Sequence, residues 1–211
     1  MGFKNRSAII ARHSGKHNSN RRGAVSAPLM EQKENIMKRF EKVSKEQYMA
    51  DLEGMRTELV ELRSANKESL ESIYGDIKLP KRATGGSAGY DFFAPFDFRL
   101  APGESIKIPT GIKVIILPQD WFLAIAPRSS LGFKYRLQID NTLGVIDADY
   151  YGNPSNEGHI FIKLTNDSKT GKELLVKKGE AFAQGIFLPF GLTDDDNAKE
   201  ERTGGVGSTN K

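Results

Sequence analysis

Cysteine is absent from this chain. That excludes disulfides, thiolate metal sites and cysteine nucleophiles, and fits an intracellular, cytoplasmic setting. Histidine is nearly absent, at three residues. Two of them, His13 and His17, lie in a polar N-terminal stretch, so no multi-histidine metal site is expected. No apolar run approaches the roughly 20 residues of a membrane-spanning helix, and no secretory signal pattern is visible. The N-myristoylation signal also fails, because Arg6 occupies the position that needs Ser or Thr. Acidic residues are missing from the first 30 positions, which carry Lys4, Arg6, Arg12, Lys16, Arg21 and Arg22. That leader is read as a disordered tail over 1–28. An organellar targeting role, or a cloning remnant with Met30 as a second start, is the other reading. Few aromatic residues accompany its charges, so specific nucleic-acid binding is not expected.

What is present falls into distinct regimes. Residues 29–76 predict a short strand within Ile36–Val43, then a helical extension. Ser44 offers an N-cap, with Gln47 three residues on. Tyr48, Leu52, Met55, Leu59, Leu62, Leu70 and Ile73 recur at three- and four-residue steps. That one-sided stripe should pack on the main domain or on another protein, and Gly54 is a point where the helix can divide. From residue 77 the pattern changes to short β-rich segments separated by Gly, Pro, Asn and Asp. The expected strands are Tyr90–Ala94, Glu104–Pro109, Ile112–Leu117, Trp121–Ala126, Leu137–Asp140, Gly144–Ile146, His159–Asn166 and Ala181–Leu188. Turn signals every eight to twelve residues predict an all-β sandwich or barrel over 77–193, with no further helix. An acidic linker and a Gly-rich arm follow over 194–211.

Chemistry concentrates in five short segments. Ala88-Gly89-Tyr90-Asp91 opens the β region. Pro127-Arg128-Ser129-Ser130 closes an apolar strand and sets a guanidinium fork beside hydroxyls, a phosphate-binding combination; alone it reads as a capped turn. Gly144-Val145-Ile146-Asp147-Ala148-Asp149-Tyr150 places carboxylates and an aromatic ring at a strand edge; alone it reads as a hairpin with solvated acids. Gly179-Glu180-Ala181-Phe182-Ala183-Gln184 sets one amide in an apolar run. Arg202-Thr203-Gly204-Gly205-Val206-Gly207-Ser208-Thr209 combines a cation, hydroxyls and glycines whose backbone N–H groups can form an anion nest, without the lysine and spacing of a Walker loop.

In combination and in order, these segments resemble the five motifs of the trimeric dUTP diphosphatase (dUTPase) family, from about Lys78 to the C-terminus. The resemblance implies a mainly β fold, a jelly-roll-like β-barrel of the dUTPase type, to which this chain adds an N-terminal helical segment. It implies a homotrimer with active sites shared between subunits, and hydrolysis of dUTP to dUMP and pyrophosphate. Asp147 would be the general base, activating water for attack on the α-phosphorus. Tyr150 would lie under the deoxyribose and exclude a 2′-hydroxyl. A hairpin from Asn141 through Gly144, Val145 and Ile146 would read uracil. Arg128, Ser129, Ser130 and Gln184 would hold phosphates. Arg202, Gly207, Ser208 and Thr209 would close over them with Val206 against the base. Asp91 would support Mg²⁺ through water. Two positions depart from the family pattern: Val206 where the family stacks Phe, and Ala181 where it often has Arg. The alternatives weighed are the fold-related dCTP deaminases and a nucleotide-sensing regulator whose N-terminal helices meet a protein partner.

Overall fold

The computed structural model describes residues 36–55, 70–200, 202 and 204. Among the described residues, twelve strands, three short α-helices and one 3₁₀ turn make up the regular structure. Strand β1 (Met37–Lys42) leads directly into helix α1 (Lys45–Gly54). Ser44 is the N-cap, its hydroxyl accepting the Gln47 N–H at 3.0 Å, so the capping residue starts the helix where the sequence places it. The helix stops at Gly54, with Met55 as its C-cap. Helix α2 (Leu70–Asp76) follows. Tyr48, Leu52, Met55 and Ile73 of the apolar stripe are buried. Leu59 and Leu62 lie outside the described residues.

The β region then forms strands β2 (Lys81–Arg82), β3 (Tyr90–Phe93), β4 (Phe98–Leu100), β5 (Ser105–Pro109), β6 (Ile112–Leu117) and β7 (Trp121–Pro127). Helix α3 (Ser129–Tyr135) interrupts it. Strands β8 (Leu137–Ile139), β9 (Gly144–Ile146), β10 (Phe161–Asn166), β11 (Leu174–Val176) and β12 (Ala181–Pro189) complete it. All pairings are antiparallel: β1 with β6, β5–β10–β8, β11 with β4, and β2–β3–β12–β7–β9. The result is a mainly β, jelly-roll-like barrel. Its interior is filled by residues such as Phe92, Phe98, Leu123, Leu164 and Phe182, each no more than 1% exposed. Alternation along β6, buried at Ile112, Val114 and Ile116, shows the period-2 pattern that fixes register against β1.

Three expectations need correction. Pro127–Gly132 is not a turn: after Arg128 the chain opens α3, which leaves Phe133 92% exposed and sets only Leu131 and Tyr135, partly buried, against the core. Two core-facing residues in a helix of seven are too few to show a period, which is why periodicity missed it. Asn141–Asp147 is not a closed hairpin. Its flanking strands pair elsewhere, β8 with β10 and β9 with β7, so the stretch is a corner between two sheets. Strands β2, β4 and β11 were also missed; at two or three residues each, they are too short to show a period.

Candidate active site

The five-stranded sheet gathers the motifs. Its order β3–β12–β7–β9 sets the first, fourth, second and third motifs on neighbouring strands. Asp91 of β3 sits opposite Gln184 of β12, and Gln184 sits opposite Ala126 of β7, two residues before Arg128. Three separate stretches of sequence therefore meet at one level of the sheet. They line a cleft of about 520 Å³ with Ser129 and Ser130. Arg128 Nε lies 3.4 Å from Asp91 Oδ1. Gln184 Nε2 donates to the Pro127 carbonyl at 3.2 Å, so the amide is held in the cleft wall. Gly89 packs directly on this amide: a Cβ at that position would meet Gln184 Oε1 at 2.5 Å and would push the amide end aside. A guanidinium, two exposed hydroxyls and an amide suit a phosphate chain.

The residues expected to read uracil lie elsewhere. Asn141, Gly144, Val145 and Ile146 line a separate groove of about 450 Å³ with Ile125 and Phe161. Gly144 packs against β7 so closely that a Cβ would sit 2.9 Å from Ile125 Cβ.

Asp147 forms a third cluster. It N-caps a 3₁₀ turn, Ala148–Tyr150, and forms an ion pair with Arg202 of the same chain. Arg202 Nε also donates to Asp149 Oδ1 at 3.0 Å, and its guanidinium lies 5.5 Å from the Tyr150 ring centroid. Asn153 Nδ2 donates to the Gly204 carbonyl at 2.8 Å, a second tie between arm and loop. Burial pushes the Asp147 carboxyl above its ordinary range. Arg202 pulls it back down, and Asp149 pushes it up. Tyr150 is 4% exposed. Its hydroxyl donates to the His159 carbonyl at 3.2 Å and accepts from Asn156 Nδ2 at 2.7 Å. Val206, Gly207, Ser208 and Thr209 lie outside the described residues.

The sheet register measures how far apart these clusters are. Ile146 pairs with Leu123, so Asp147 falls level with Phe122, six residues before Arg128 on β7. At about 3.3 Å per residue that is roughly 20 Å along the strand. Within one chain, the carboxylate and the phosphate cleft are not brought together. Among the described residues, no group of three or more carboxylates and histidines is spaced to hold a metal ion. Asp91 is a single carboxylate, which fits a Mg²⁺ that keeps its waters and leans on substrate phosphates.

Sequence reasoning missed three residues that support this loop: Asp51, Glu157 and His159. His159 was visible as a single histidine at the start of a buried strand, a position that needs a polar partner.

The fold and the motif-lined sheet define a β-barrel with a cleft lined by a guanidinium, hydroxyls and an amide. The profile of the dUTPase family matches residues 75–210. The deoxyuridine 5′-triphosphate nucleotidohydrolase of Lactococcus lactis subsp. lactis is 47% identical over 135 residues, 63% of this chain and 88% of that one. Among solved structures, the dUTPase of Streptococcus mutans is 40% identical with a TM-score of 0.49, covering 55% of this chain and 88% of that one. A mutant dUTPase of S. aureus phage phi11, solved with a structural Mg(II) ion, is 22% identical with a TM-score of 0.47, covering 59% and 92%. The chain belongs to the dUTPase family. No helix among the described residues is long and apolar enough to cross a membrane.

Proposed function

We propose that this nucleotide hydrolase cleaves dUTP to dUMP and pyrophosphate in sites shared by the subunits of a homotrimer. The convergence of Asp91, Arg128 and Gln184, from three motifs, on one cleft is the observation that carries the reading. Arg128, Ser129, Ser130 and Gln184 hold the phosphate chain. Asp147 takes the proton from the attacking water as it adds to the α-phosphorus. A carboxyl raised by burial is the stronger base for that transfer once ionised. Asn141, Gly144, Val145 and Ile146 read the uracil edge from their groove. Tyr150, once Arg202 leaves its face, lies against the deoxyribose. Arg202, with Gly207, Ser208 and Thr209, then neutralises the outer phosphates, and Val206 covers the base. Mg²⁺ would supply charge neutralisation on the triphosphate, and Asp91 would hold it through its water shell.

The roughly 20 Å between Asp147 and Arg128 along β7 supports sharing. A second subunit supplies the base to the cleft of the first. The barrel over 77–193 provides the site, the arm over 194–211 closes it, 1–28 is a passive basic tail, and the 29–76 extension is available to a protein partner. Side-by-side measurement of pyrophosphate release from dUTP, dTTP, dCTP and UTP tests the reading. Release from dUTP should exceed the others by orders of magnitude. Ammonia release from dCTP would instead indicate a deaminase.

A further inference from the structure

Helix α1 precedes the 75–210 stretch that matches the family, yet it is wired to the loop that carries Tyr150. Asp51 Oδ2 lies 2.6 Å from His159 Nδ1, and His159 is fully buried. The other ring nitrogen, Nε2, accepts the Gly111 N–H at 2.8 Å. That bond leaves the imidazole proton on Nδ1, which therefore donates to Asp51. The carbonyl of the same histidine accepts the Tyr150 hydroxyl.

A second tie runs in parallel. The N-cap Ser44 donates to Glu157 through its N–H at 3.1 Å and its hydroxyl at 2.5 Å. Glu157 occupies the left-handed region at φ 58°, a conformation that costs a non-glycine residue and needs holding from outside. Its N–H and carbonyl bond Asn153 and Gly152, just after Tyr150. Gly158 next to it, at φ 82°, has no room for a Cβ, which would meet the Tyr150 carbonyl at 2.4 Å. Both ties end within the short Tyr150–His159 loop.

We infer that Asp51 is a positioning residue for Tyr150: through His159 it sets where the ring meets the sugar, and so how strongly a 2′-hydroxyl is refused. The inference rests on the dUTPase reading of Tyr150. A misplacement of about 1 Å at such a contact costs on the order of 10²-fold in rate, so loosening one of two ties should cost about tenfold.

The test uses the full chain and two readouts. One is the ratio of kcat/KM for dUTP to that for UTP. The other is the NMR resonance of the Tyr150 ring, assigned by its loss in Tyr150→Phe. Asp51→Ala should shift the Tyr150 resonance and lower the dUTP:UTP ratio about tenfold. Asp51→Asn keeps an acceptor for Nδ1 and should restore both. Lys45→Ala, on the same helix but bonded to exposed Glu71, should change neither. If Asp51→Ala does not fold, Asp51→Ser replaces it, with a side chain too short to make the bond. A folded variant with lower Tm but an unmoved resonance and ratio would show that α1 only braces the barrel, and the inference falls. A shifted resonance with an unchanged ratio would also overturn the specificity role. Wild-type protein that does not hydrolyse dUTP sinks the reading of the reaction instead, while the resonance still decides whether Asp51 governs Tyr150.

Discussion

Both ends of the described chain reach the loop from Asp147 to His159, and they hold it differently. The N-terminal side docks on residues 157–159 through groups that are mostly covered: His159 is fully buried, Asp51 is 17% exposed and Glu157 31%. The C-terminal arm docks on residues 147–153 through ion pairs whose carboxylates, Asp147 and Asp149, are 45% and 51% exposed. Ion pairs so exposed contribute little to stability. A buried donor deprived of its acceptor costs about 1–3 kcal/mol. The loop therefore has one attachment suited to staying in place and one suited to release. An enzyme that must admit and then enclose a charged substrate needs both.

The comparison breaks most sharply at Asp147. Asp147→Asn should lower turnover by about 10²–10⁴ while leaving nucleotide binding nearly intact, because the phosphate cleft is elsewhere. Near-normal hydrolysis by this variant would remove Asp147 from the chemistry.

Ending the chain at Glu201 removes the releasable side. The shortened protein should fold and trimerise but lose about 10²-fold or more in activity, since the outer phosphates lose their clamp. Mixing it with Asp147→Asn under demonstrated subunit exchange sharpens the point. Recovery of activity means that arm and base act from different chains. Failure to recover means that the Arg202–Asp147 contact within one chain is the working arrangement.

The fixed side is open to acid. Lys113 and Ser44, bonded to Glu157, hold its carboxyl down at about 2, against the opposing effect of burial. A depressed carboxyl contributes stability above its unfolded value near 4.5. That contribution is lost as pH falls from there toward 2. Glu157→Gln should cost about 1–2 kcal/mol at neutral pH and flatten the fall in Tm between pH 4.5 and 2. An equally steep fall in the variant would assign acid sensitivity to other groups.

The smallest effect concerns Tyr48, whose buried hydroxyl has no hydrogen-bond partner among the described residues. Tyr48→Phe should stabilise the α1 contact by about 1 kcal/mol, a Tm rise of about 2–4 °C. A loss of stability would mean that a water satisfies the hydroxyl.

Much of this molecule is legible in its residues. Period-2 alternation marks β6, and Ser44 with Gln47 marks the start of α1. The motif order marks the family. Helix α3 is not legible, because its one core-facing pair, Leu131 and Tyr135, is too short a run to show an apolar period. Asp51, Glu157 and His159 are separated by more than 100 positions from one end of their contacts to the other. No local pattern pairs residues so far apart.

By itself, then, the sequence determined most of the longer elements, which chemical groups are present and which family they belong to. Those properties depend on side-chain type and short spacing. Only the tertiary structure decided that Asp91, Arg128 and Gln184 share a cleft and that Asp147 stands apart from it. It alone attached α1 to the Tyr150 loop. Those are matters of strand order and register, set by packing across the whole barrel, in which a residue's neighbours in space are not its neighbours in the chain.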